Sequence, residues 1–196
     1  MLPELATERL TLRIARPGME AAHVRFLNRN HASHLAQWSP PPAPGFFTEE
    51  FWAERLVAAL DEFHAGRALR FVMQARGAPV EGDLLGTVNY TNIVRGAFQA
   101  CHLGYQVGKD QEGHGLMTEA LRATNAYVFD QVRLHRIMAN YRPENARSAR
   151  VLERLGFVRE GFAKEYLFID GAWRDHVLTA LVHPSFDPAW LAPGAR

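Results

Sequence analysis

A chain of 196 residues, 47% hydrophobic and 22% charged, has the length and composition of a soluble globular protein with a real core. Its net charge of +1 excludes broad nucleic-acid binding driven by phosphate neutralisation, so DNA is not an expected partner. A single cysteine, Cys101, rules out an intrachain disulfide and a thiolate metal cage, and the nine histidines show no metal-binding spacing.

The N-terminus carries Pro3, Glu4 and Glu8 instead of a basic-then-apolar leader, and no apolar run is long enough to cross a bilayer. The reading is a cytoplasmic protein without a membrane partner. Arg9–Ile14 alternates as a half-buried strand should. A helix is predicted from about Met19 to Gln37, offering Ala22, Phe26, Leu27, Leu35 and Trp38 for burial. Proline then forbids helix through Ser39–Gly45, which reads as a stiff surface loop. Thr48 is the expected N-cap of a second helix ending at His64, with Phe51, Trp52, Leu56, Leu60 and Phe63 on its buried face.

Strands follow at about Leu69–Ala75, Leu84–Thr91 and Cys101–Val107. A short polar loop tightens into Gly113-His114-Gly115, and a helix begins there with Met117, Leu121, Val128 and Val132 on one side. Arg136–Tyr141 reads as a strand stopped by Pro143. Asn145 caps the next helix, whose apolar stripe is Val151, Leu152 and Leu155 and whose end is Gly156. Val158–Ile169 and Trp173–Leu181 form a hairpin around Asp170-Gly171, a strong turn pair.

Two blocks carry chemistry. A glycine turn at a helix start aims free backbone N–H groups and the positive end of the helix dipole at one point, where phosphate binds without a lysine. Neither Gly-Lys-Ser/Thr nor G-x-G-x-x-G is present, so the common nucleotide motifs are excluded. The second block is Asn140–Ser148. Capping alone explains Asn145, with Ser148 three residues on as a weak capping-box partner; both side chains also suit a binding site.

Both blocks together, in this order, resemble the GNAT superfamily of acyl-CoA-dependent N-acetyltransferases. Asn89–Cys101, Leu103-Gly104-Tyr105, Leu134–Ile137 and the ending Glu160-Gly161, Ala163-Lys164, Ile169–Gly171, Trp173–His176 are similar to its RimJ/RimL branch. The likeness runs from about Glu8 to Leu181. It implies an α/β fold of the α+β kind: one GNAT-like domain over residues 1–196, core about 8–182, with a largely antiparallel mixed sheet, flanking helices and splayed central strands. Acetyl-CoA is then the co-substrate, with no metal. Glu112, Gly113, His114, Gly115, Leu116 and Met117 would cradle its pyrophosphate, while Tyr105, Gln106 and Val107 offer a strand edge to the pantetheine and Asn145 and Ser148 flank the thioester. The family's loop begins with Gln or Arg, whereas Glu112 stands here; His114, when protonated, or Gln111 would compensate.

The implied reaction moves an acetyl group onto the N-terminal amine of a protein, an alanine-starting ribosomal protein being the expected acceptor. A backbone N–H near Tyr105–Val107 would hold the oxyanion, and Ser148 would protonate the thiolate unless it serves only as a cap. Glu165 and Tyr166 are the candidate bases, directly or through water. Trp38, Asn89 and Tyr166 fall on the acceptor side. Two rivals stand beside this reading: a GNAT acting on a small amine (aminoglycoside, polyamine or amino acid), which an acidic groove would favour, and a non-catalytic acyl-CoA-binding module. Monomer and dimer are both open.

Overall fold

Short antiparallel connections build most of the sheet. β1 (Glu4–Ala6) pairs with β2 (Leu10–Ile14), followed in space by β3 (Leu69–Ala75), β4 (Gly86–Val94) and β5 (Ala100–Val107). β6 (Arg136–Tyr141) lies parallel to β5, and β7 (Val158–Ile169) with β8 (Ala172–Val182) completes the order β1-β2-β3-β4-β5-β6-β8-β7. This is the computed structural model of the chain, and it describes residues 2–191. Residue 1 and residues 192–196, the outer ends of the expected domain, lie outside the described residues.

A parallel pair needs a crossover, and the helix α3 (Leu116–Asp130) supplies it between β5 and β6. Their pairing begins at Ala100 opposite Arg136 and stops at Leu103 opposite Ala139. β5 continues to Val107 and β6 to Tyr141 without pairing each other, so the central strands are splayed as the family likeness implies.

Helices cover both faces. α3 and α4 (Ala146–Arg154) pack on the side of Leu12, Phe71, Tyr90, Cys101, Leu103 and Ile137. α1 (Glu20–Asn30) and α2 (Glu49–His64) bury Met19, Phe26, Leu27 and Leu56 against Val72 on the other. Cys101 is fully buried, and that burial pushes its thiol up to about 12, which makes it inert. Among the described residues, no helix is long and apolar enough to cross a membrane and no group of His, Cys, Asp or Glu is arranged to hold a metal.

Local signals account for several boundaries. Thr48 Oγ1 accepts from the Phe51 amide, capping α2 where expected. Asp170 and Gly171 both have positive φ (50° and 72°), the requirement of a two-residue hairpin turn, and Ile169 pairs with Ala172 across it. The helix expected to reach Gln37 is regular only to Asn30. Residues His31–Leu35 widen into a π turn and Ala36–Trp38 tighten into a 3₁₀ turn. Side chains compete with the backbone ladder there: Asn30 Nδ2 donates to the Phe26 carbonyl, and Ser33 Oγ donates to those of Arg29 and Asn30.

Tyr90 ties β4 to α3 inside the core. Its hydroxyl lies 2.6 Å from Asn125 Oδ1 and 2.8 Å from Thr124 Oγ1, and the ring is fully buried. Removing the hydroxyl strands buried polar atoms on α3. The expected result for Tyr90→Phe is a loss of about 1–3 kcal/mol in urea unfolding, with the native fold retained.

Candidate active site

The glycine turn ahead of α3 has the geometry of an anion seat. Gly113 and Gly115 have φ of 80° and 76°, the left-handed region, and Gly115 is the N-cap of α3 without any side-chain capping bond. The first amides of the helix therefore point outward unpaired. A network beneath holds the turn. Arg9 donates to the His114 carbonyl at 2.9 Å and to Glu119 Oε2 at 2.7 Å, and Thr7 Oγ1 meets Glu119 Oε1 at 2.6 Å. Burial pulls the Glu119 carboxyl upward, but the Thr7 and Arg9 hydrogen bonds outweigh it and keep it below its ordinary range. Its charge is thereby spent on Arg9 instead of opposing an anion at the turn.

Glu112 is likewise spoken for. Its carboxylate pairs with Arg147 from α4 at 2.5 Å and with Lys109 at 3.5 Å. The acidic side chain thus joins the loop to α4 and sets two cations at the rim. With Arg150 and Arg154 lining the same groove, the rim is basic, as a polyphosphate requires.

From this seat a groove of about 1380 Å³ runs into the gap between β5 and β6. Gly108 N–H donates to the Leu85 carbonyl, and the Gln106 carbonyl sits against Gly86, so these groups face β4. Backbone alternation turns the amides of Tyr105 and Val107 the other way, into the gap. At its edge the Tyr105 hydroxyl lies 2.7 Å from Ser148 Oγ. Burial pushes the Tyr105 phenol up to about 12, so it holds its proton throughout the neutral range. Asn145 Oδ1 accepts from the Ser148 amide at 3.0 Å and so performs the capping of α4. The Asn145 amide goes to the Arg142 carbonyl, which leaves no reciprocal capping box. Ser148 Oγ is free of capping and is held by Tyr105.

The opposite side of the gap lies on the other face of the sheet. Tyr105 belongs with Leu103 and Cys101 on the α3/α4 face. His102 pairs with Met138, Asn89 with Gly104, and Asn140 with Leu178, which places these residues on the α1/α2 face. There the groove is lined by Asn89, His102, Met138, Asn140, Tyr166 and His176, with Trp38 at its mouth. Asn140 Nδ2 donates to the Tyr166 hydroxyl at 3.2 Å. Arg142 closes the rim: it donates to the Gln37 carbonyl at 2.7 Å and lies over the Trp38 ring at 5.3 Å.

A family model described as an acetyltransferase (GNAT) domain matches residues 9–158. The chain belongs to the GNAT acetyltransferases. It is 43% identical over 187 residues to the ribosomal protein uS5-alanine N-acetyltransferase of Escherichia coli, covering 94% of this chain and 93% of that protein. Among solved structures, the ribosomal-protein-S5-alanine acetyltransferase of Vibrio fischeri superposes with a TM-score of 0.89 at 37% identity, covering 95% of this chain and all of that one. RimJ of Mycobacterium smegmatis, solved with a CoA-disulfide, gives 0.82 at 32% identity over 92% of this chain and 86% of its own.

Within this GNAT site, Trp38, Asn89, Tyr105, Gln106, Val107, Glu112, Gly113, Gly115, Leu116, Met117, Asn145, Ser148 and Tyr166 all line the one groove. His114 and Glu165 do not. The His114 ring is exposed and only its carbonyl is engaged, with Arg9. Glu165 sits in a bulge of β7, where two extra residues are looped in between Ala163 and Leu167; its φ is 47° and its amide binds Asp175. That bulge breaks the strand's alternation and turns Tyr166, not Glu165, toward the groove. Sequence reasoning also missed the Tyr105 side chain, Arg142, Arg147 and His176. Only His176 left a usable signal, a histidine on the alternation of a recognised strand.

Replacing Glu112 by Gln releases Arg147 and Lys109 for a bound polyphosphate. We expect acetyl-CoA affinity by calorimetry to rise by about two- to fivefold at low salt, and the gain to shrink as salt screens the rim.

Proposed function

We propose that this GNAT protein transfers the acetyl group of acetyl-CoA to the N-terminal α-amine of a protein, an alanine-starting ribosomal protein being the acceptor. The observation that carries the reading is the through-sheet gap. An anion seat opens onto it from one face, and a neutral polar pocket opens onto it from the other. The names of the E. coli and V. fischeri relatives, both acetyltransferases of a ribosomal-protein alanine, support the acceptor.

In this reading the pyrophosphate rests on the amides of Gly113–Met117, and the acyl arm lies along the edge of Tyr105–Val107. The Tyr105 and Val107 amides that face the gap are the donors available to the developing oxyanion. Ser148 Oγ–H protonates the departing thiolate, and the Tyr105 hydroxyl at 2.7 Å stands behind it as a proton donor. An α-amine has a pKa of about 7.7–8.0, so a useful fraction arrives neutral and needs mainly orientation. The carboxylates lining the groove, Glu112 and Glu144, are both paired with arginine. This disfavours polycationic acceptors such as polyamines and aminoglycosides.

Because Asn145 supplies the cap, Ser148→Ala should leave the melting temperature and acetyl-CoA affinity close to wild type. Turnover should fall by about 10²–10⁴-fold; unchanged turnover would make Ser148 a packing residue.

The acceptor is tested with an Ala-starting peptide, the same peptide N-terminally blocked but containing lysine, and spermidine. Acetylation of the free Ala-peptide alone is expected. Transfer confined to spermidine would replace the proposal with the small-amine reading, and no transfer at all would favour a binding module.

A further inference from the structure

Three of the nine histidines line the groove: His34, His102 and His176. The first two are poor proton acceptors. His34 Nε2 and His102 Nδ1 are buried without a hydrogen-bond partner, and burial holds both imidazoles below their ordinary range. His176 is built differently. Its Nδ1 lies 2.9 Å from the Arg174 carbonyl oxygen. A carbonyl only accepts, so Nδ1 carries the hydrogen and Nε2 of the neutral ring keeps its lone pair. The residue is 3% exposed, and its ring packs 5.5 Å from that of Tyr166. Among the described residues Nε2 has no hydrogen-bond partner, and it is not among the sealed, unpartnered polar atoms, so what access the ring has is through the groove it lines.

Position adds to this. His176 follows Leu178 by strand alternation onto the face that carries Asn140, Met138 and His102. Tyr105 and Ser148 reach the gap from the opposite face. The rival carboxylates are less well placed: Asp175 accepts from the Glu165 amide, Glu144 pairs with Arg142, and Glu165 does not line the groove.

We propose that His176 Nε2 takes the proton from the attacking amine, directly or through one water. The assignment rests on the acyl-transfer reading above. The amine lone pair forms the N–C bond as the carbonyl π pair moves to oxygen. The oxyanion then collapses and the C–S bond pair leaves with sulfur. The surplus proton on nitrogen passes to His176 Nε2, the thiolate takes a proton from Ser148, and water returns both groups to their starting states. Deprotonation and leaving-group protonation thus occur on opposite faces of the sheet.

The test compares wild type, His176→Ala and His176→Gln on the Ala-starting peptide, with melting temperature and acetyl-CoA affinity measured alongside. The expected result is unchanged affinity, a kcat lowered by about 10²–10⁴-fold, and a smaller change in KM. Added imidazole should restore turnover in His176→Ala but not in His176→Gln, where the amide fills the space. A kcat within about threefold of wild type overturns the proposal. So does a loss that imidazole leaves untouched, which would mark a packing role. Should either variant misfold, nitrogen NMR of the wild-type histidines decides: the Nδ1–H tautomer at His176 is required, and Nε2–H overturns it. If wild type acetylates only a small amine, the acceptor assignment fails and the His176 comparison is made on that amine. A wild type inactive on every amine overturns both.

Discussion

Leu103 and Ala139 are the last residues that β5 and β6 share, and the rest of the site depends on what happens beyond them. Two strands that part inside a sheet leave backbone amides facing a gap, and unpaired buried amides are costly unless solvent or ligand meets them. Tyr105 and Tyr141 stand at the mouth of the fork and pack against the same core. The fold thus keeps an internal strand edge shielded from other chains by its own helices, and offers it to one narrow ligand.

Electrostatics at the glycine turn rest on two engaged carboxylates. Glu119 is tied to Thr7 and Arg9, and Glu112 to Arg147 and Lys109. A carboxylate ahead of a phosphate-type turn looks adverse when only its neighbours in sequence are considered. Paired with a cation 35 residues away, its charge is largely neutralised.

What was legible in the sequence was what short-range chemistry decides. The Asp170-Gly171 turn, the Thr48 and Asn145 caps and the glycine turn ahead of α3 each follow from residues within one turn of each other. What escaped was decided at a distance or by irregularity. The π turn at His31–Leu35 reflects Asn30 and Ser33 competing for helix carbonyls, and apolar periodicity does not register such competition. Of the two hairpin residues expected at the site, the β7 bulge leaves Tyr166 at the groove and Glu165 outside it, and alternation cannot reveal an insertion that suspends it. The side-chain partnership of Tyr105 with Ser148 spans 43 residues, so neither segment alone announces it.

Asn30 has a consequence beyond bending its helix. Its Nδ2 holds the last turn of α1 while its Oδ1 receives the Lys109 amide, at 2.8 Å each. One buried amide therefore bolts the segment carrying His34 and Trp38 to the loop that leads into Glu112. A displacement of the loop would therefore pull on the wall that carries His34 and Trp38. A ligand that shifted this joint from one side of the groove would change the affinity of the other side for its own ligand, and any such coupling is reciprocal.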